Sequence, residues 1–201
     1  MFIRNEKFPD FIRLYPVVSV LILMNILVFL LRYIPVIGDL VIVYGIGSNY
    51  FLANGEWWRM LTPMFLHADF MHLLMNMFSL FIFGPDLERL LGKMRFITVY
   101  LFSGIAGILL TFGYYDLNYN PYLGASGAIF GIFGAFGALV TYMKNKAPQL
   151  KQVILPIIGI SVVLTFFGSN INITGHIGGL IGGYLFGLYY FHPKRVNRFR
   201  K

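Results

Sequence analysis

The stretch YLGASGAIFGIFG, Tyr122 to Gly134, sets a serine among small residues at the head of an apolar run. Small residues then recur at Gly127, Gly131, Gly134 and Ala138. These positions share one face of a helix, and small-xxx-small stripes let two membrane helices approach closely. The apolar run covers 124–143, close to the roughly 20 residues that cross a hydrocarbon core about 30 Å thick. The stretch therefore reads as a membrane-spanning helix with Ser126 in its first turn.

The surrounding sequence supports that reading. Of 201 residues, 58% are hydrophobic and 12% charged, and the mean hydropathy is +0.72; soluble domains are about 45–50% apolar. The composition predicts an all-α, polytopic membrane helical bundle. Six apolar segments, about 17–34, 70–83, 95–114, 124–143, 153–168 and 174–191, are bounded by turn signals and charges. The second is the weakest, since His72, Asn76 and Ser79 interrupt it and Gly84-Pro85 is expected to end it. The expected organisation is a single membrane domain over 1–201. It comprises a cytoplasmic segment 1–16, an outer interfacial loop 35–66 carrying GEWWR, and a basic cytoplasmic tail 192–201. The first apolar segment is long enough to span and no A-x-A-like site follows it, which argues against a cleaved secretory signal. The chain has no cysteine, so thiol catalysis and disulfides are excluded.

The net charge of +8 is not spread evenly. Arg4, Lys7 and Arg13 precede span one; Arg89, Lys93 and Arg95 separate spans two and three; Lys144, Lys146 and Lys151 separate four and five. Lys194, Arg195, Arg198, Arg200 and Lys201 follow six, and only Arg32 and Arg59 fall elsewhere. With six transmembrane helices, the positive-inside rule places these clusters and both termini in the cytoplasm. The basic tail then reads as a topology signal in contact with anionic lipid, with no nucleic acid implied.

In this topology His72 and Asn76 lie in the outer half of span two, and Ser126 and His176 begin spans four and six. Taken singly, Ser126 reads as a packing residue, His176 as an interhelical hydrogen bonder and Asn76 as helix-to-helix glue. Their convergence at one depth points to chemistry instead, because polar groups inside a bilayer are costly. His72 and Asn76 are i and i+4 and stack on one face. In GHIGGLIGGYLFG, His176, Gly179, Gly183 and Gly187 share another, which would bring spans four and six together. A serine hydroxyl becomes a nucleophile when a histidine removes its proton, and a helix N-terminus offers unpaired N–H groups to an oxyanion. Gly124 and Gly127 leave room for a substrate backbone. Asp69 is the carboxylate nearest in depth, but a Ser-His dyad is the expected arrangement.

These residues resemble the rhomboid intramembrane serine proteases over roughly Trp57 to Phe191, through GEWWRMLTP, HADFMHLLMN, GPDLERLLG, GASG and GHIGG. The resemblance implies the minimal six-span bacterial form, in the plasma membrane of a prokaryote. It implies Ser126 as nucleophile, His176 as general base, and His72 and Asn76 as parts of the oxyanion hole. Arg59 and Glu88 match positions that stabilise the interfacial loop and the inner end of span two. Implied substrates are single-pass transmembrane proteins, cut within the bilayer near the outer leaflet where small residues loosen the helix; no cofactor is implied. Phe130 stands where some relatives carry a tyrosine under the histidine ring, keeping the stacking surface without the hydroxyl.

Two other readings use the same residues. An intramembrane metal-dependent hydrolase would draw on His67, Asp69, His72 and His176. No H-E-x-x-H is present, however, and a spacing of five sets His67 and His72 about 140° apart on a helix. A non-catalytic binder or transporter would use the polar cavity alone, but the internal repeats with broken helices that transporters show are not evident.

Overall fold

The computed structural model describes residues 2, 4–143, 148–167 and 171–196, so Lys144, Lys146, Arg198, Arg200 and Lys201 of the charge pattern lie outside the described residues. Helices α1 (Phe8–Leu14) and α2 (Pro16–Leu31) are followed by α3 (Ile37–Gly45) and α4 (Asn49–Ala53). Two 3-10 turns, Trp57–Met60 and Thr62–Phe65, lead to the long helices α5 (Phe70–Leu91), α6 (Lys93–Tyr114) and α7 (Ser126–Met143). The chain continues through α8 (Pro148–Thr165), α9 (Ile173–Phe191) and α10 (Pro193–Val196). Among the described residues no β-strand forms, and one isolated bridge pairs Gly47 with Tyr122.

Helices α5, α6 and α7 are long and apolar enough to cross a bilayer, and α1 with α2, bent by 109°, makes a fourth such unit. The protein is thus a multi-pass helical membrane protein. Outward-facing Met71 and Phe78 are both more than half exposed, as expected of side chains that meet lipid rather than water.

The connection 35–66 is more ordered than a loop. Trp58 Nε1 donates to the carbonyl of Tyr44 at 3.0 Å. Arg59, fully buried, donates to the carbonyls of Ile46 (2.6 Å) and Val43 (2.9 Å), pairs with Glu56 and lies over the Phe51 ring. A guanidinium with this many partners ties α3 to the turns before α5.

Helix α5 corrects one expectation. Gly84-Pro85 does not end it; the helix runs seven residues beyond Gly84, to Leu91. Pro85 removes one helical donor, a defect of about 3 kcal/mol in an isolated helix, offset here by packing. Gly84 lies against Val18, and Leu87 and Leu91 are buried. Glu88 accepts from the backbone N–H groups of Val17 (3.1 Å) and Val18 (2.9 Å). Those donors belong to the first turn of α2, which has no side-chain cap of its own, so a carboxylate from α5 satisfies them. Asp86 binds Arg4 and Arg89 on the same end of the bundle.

The centre of the bundle is α7 against α9 and α6. A methyl group added at Gly179 or Gly183 would collide with the carbonyl oxygen of Gly127 or Gly131, and one at Gly187 would meet Ala135 and Ala138. The α9 stripe and the α7 stripe thus meet backbone to backbone. The opposite edge of α9, at Gly178 and Gly182, abuts Ala106 and Ser103 of α6. Small residues on two faces let α9 sit between two neighbours, and that closeness sets the site.

Candidate active site

Ser126 is the first residue of α7. The segment before it is pinned twice. Tyr122 exchanges backbone hydrogen bonds with Gly47 at 2.9 Å, and the Gly124 N–H donates to the Pro63 carbonyl at 2.8 Å. Gly124 has φ +125°, and a side chain there would strike the His72 ring, so only glycine suits the position. The first backbone bond closing α7 runs from Ile129 N to Ala125 O at 3.0 Å. The N–H groups of Ser126, Gly127 and Ala128 precede it and have no acceptor within the helix.

His176 lies in the first turn of α9, whose start is capped by Asn172 accepting from Gly175 N at 3.0 Å. Its Nε2 is 2.7 Å from Ser126 Oγ. Phe130, one turn into α7, stacks on the imidazole with ring centroids 4.2 Å apart and planes at 16°. The remaining nitrogen, Nδ1, meets Thr165 Oγ1 of α8 at 2.9 Å. Sequence reasoning missed Thr165, because a threonine near the end of an apolar helix carries no signal of its own.

The structure brings His72 and Asn76 to the same cavity as Ser126 and His176. The Ala68 N–H points to His72 Nδ1 at 3.4 Å, an arrangement that leaves the proton of a neutral ring on Nε2, beside Gly124. Asn76 donates through Nδ2 to the His72 carbonyl at 2.8 Å; the amide has a second proton. Asp69 caps α5, accepting from His72 N at 2.8 Å, and so serves the backbone rather than His176. His67 is buried with its ring 5.1 Å from that of His72, while Arg32 donates to the carbonyls of His67 and Ala68. Burial pushes the His67 imidazole down to about 3. Among the described residues no three His, Cys, Asp or Glu side chains gather closely enough to hold a metal ion.

The cavity measures about 930 Å³ and is walled by α5, α7, α8 and α9, with Phe83, Phe133, Ile157 and Ile160 on its apolar side. A smaller chamber of about 40 Å³ adjoins Ser126, between Gly104, Gly107, Gly127 and Gly175. An apolar chamber converging on a few polar groups is the common form of a ligand site.

Fold and cavity together define a class: helical membrane proteins that hold a serine and a histidine in contact within the bundle. The comparisons with known proteins make the assignment specific. The Rhomboid domain family matches residues 54–193. The rhomboid protein YdcA of Bacillus subtilis is 44% identical over 191 residues, covering 92% of this chain and 94% of that protein. Rhomboid protease GluP of Bacillus subtilis is 39% identical over 149 residues, 73% of this chain and 28% of GluP. Rhomboid-type serine protease 2 of Emericella nidulans is 36% identical over 139 residues, 68% of this chain and 27% of that protein. The chain belongs to the rhomboid family and is a serine-type intramembrane endopeptidase.

Proposed function

We propose that the chain cuts single-pass membrane proteins within their transmembrane segments near the outer leaflet, with Ser126 as nucleophile and His176 as general base. The observation that carries this reading is the 2.7 Å contact between Ser126 Oγ and His176 Nε2. Nε2 takes the hydroxyl proton as Oγ attacks the scissile carbonyl carbon, and the carbonyl electrons move onto oxygen. The free N–H groups opening α7 lie where that oxyanion develops, and the second Asn76 proton and the His72 Nε2–H are the side-chain donors available to it. The His176 imidazolium then protonates the leaving amine, and the acyl group on Ser126 is released by water, with His176 again the base. The small glycine-walled chamber beside Ser126 favours a short side chain at the cut.

The proposed topology has six spans with both termini cytoplasmic in one membrane domain over 1–201, in a prokaryotic plasma membrane. The charge distribution supports the topology, and the Bacillus subtilis relatives support the location. The test is co-expression with a panel of tagged single-pass membrane proteins. The wild type releases fragments cut at membrane depth and Ser126→Ala releases none; equal cleavage by both overturns the reading.

A further inference from the structure

Thr165 Oγ1 lies 3.1 Å from the carbonyl oxygen of Ser161, one turn back in α8, and 2.9 Å from His176 Nδ1. A hydroxyl has one proton and a carbonyl oxygen only accepts, so the proton is committed to Ser161. Oγ1 therefore faces Nδ1 with a lone pair, and Nδ1 carries the hydrogen. A neutral imidazole protonated at Nδ1 keeps its lone pair at Nε2, the atom that touches Ser126 Oγ. In the reverse assignment the hydroxyl proton turns to Nδ1 and Nε2–H points at the serine. Two oxygens would then confront each other at 3.1 Å with no proton between them.

We infer that Thr165 is a positioning residue that selects the base-competent tautomer of His176, an inference that rests on the Ser126–His176 reading above. In soluble serine hydrolases a carboxylate orients the histidine. Within a bilayer an ionised carboxylate is costly, whereas a hydroxyl satisfied by its own helix orients the ring without adding charge. Thr165 is buried, at 4% exposure, and its Oγ1 occupies the Nδ1 side of the ring at 2.9 Å. Phe130 holds the ring plane and Thr165 fixes its rotation within that plane. The carboxylate nearest in sequence depth, Asp69, is occupied by the cap of α5.

The experiment compares purified wild type, Thr165→Val and Thr165→Ser on a transmembrane peptide substrate. Side-chain ¹⁵N NMR of histidine-labelled protein accompanies it, with His176 assigned by its loss in His176→Ala. Thr165→Val, similar in shape but without the hydroxyl, should lower kcat about five- to tenfold, the factor one neutral hydrogen bond carries, with little change in KM. Thr165→Ser should restore activity. The wild-type ring should carry its proton on Nδ1, and Thr165→Val should shift it towards Nε2. A wild-type proton on Nε2, or Thr165→Val with full kcat and an unchanged tautomer, overturns the inference. If Thr165→Val fails to fold, the wild-type tautomer and the serine variant still decide. Cleavage surviving in Ser126→Ala would defeat the Ser126–His176 reading itself. An inactive Ser126→Ala beside a wild-type-like Thr165→Val would defeat only the role of Thr165.

Discussion

Substituting Gly179→Ala adds one methyl group a single turn below His176 and should disturb helix packing and catalysis together. Its Cβ would lie 2.8 Å from the Gly127 carbonyl carbon and 3.2 Å from Gly127 Cα, with the carbonyl oxygen nearer still. Carbon atoms in contact sit about 3.5–4.0 Å apart, so α9 and α7 must part by roughly 1 Å. Overpacking of this kind costs about 1–3 kcal/mol. The same displacement acts directly on the site, because Ser126 opens α7 and His176 opens α9. Their 2.7 Å contact would stretch to about 3.7 Å, beyond hydrogen-bond range, and a misplacement of about 1 Å lowers rates about 10²-fold. The assay is kcat on a transmembrane peptide substrate with a melting curve in detergent, and Gly113→Ala is the control, since a methyl group there meets nothing within 4 Å. Gly113→Ala should match wild type in kcat and melt no lower, since alanine favours a helix over glycine. Gly179→Ala with unchanged kcat and melting temperature would refute the claim that backbone contact between α7 and α9 sets the site.

Asn76→Ala should lose activity at the low end of the roughly 10²- to 10³-fold range for an oxyanion donor, because the α7 N–H groups and His72 remain. Ser126 should still react slowly with a fluorophosphonate; full specific activity with a lowered melting temperature would make Asn76 interhelical glue. Cysteines introduced one at a time should report topology with an impermeant thiol reagent on intact cells, Asn118→Cys reacting and Lys93→Cys remaining protected; the reverse pattern contradicts the charge argument. His67 should make stability pH-dependent. Its folded pKa, lowered by burial to about 3 from 6.5, means the unfolded chain binds the proton first, so stability falls as pH drops from about 6.5 towards 3. His67→Phe should flatten that slope in a melting series, and an unchanged slope would show that His67 is not its source.

Much of the candidate site is legible in the sequence because membrane burial makes polar residues conspicuous. Ser126, His176, His72 and Asn76 stood out against apolar helices, and the glycine stripes indicated which helices meet. Thr165 was not legible, since its meaning lies in one hydroxyl reaching across from α8 to Nδ1. The end of α5 is not legible in the sequence, because the local stop signal Gly84-Pro85 is overridden by packing on Val18 and by the Glu88 carboxylate capping α2. The helices within 35–66 are not legible in the sequence, because Arg59 organises them through backbone carbonyls, which no side-chain pattern encodes.

Whether Ser126, activated by His176, performs the chemistry is decided by locating the adduct of a mechanism-based serine reagent on the purified protein by peptide mass spectrometry. One adduct is expected, on Ser126, formed with loss of proteolysis, absent in Ser126→Ala and strongly slowed in His176→Ala. Inactivation with the adduct on another residue, or an undiminished labelling rate in His176→Ala, would contradict it.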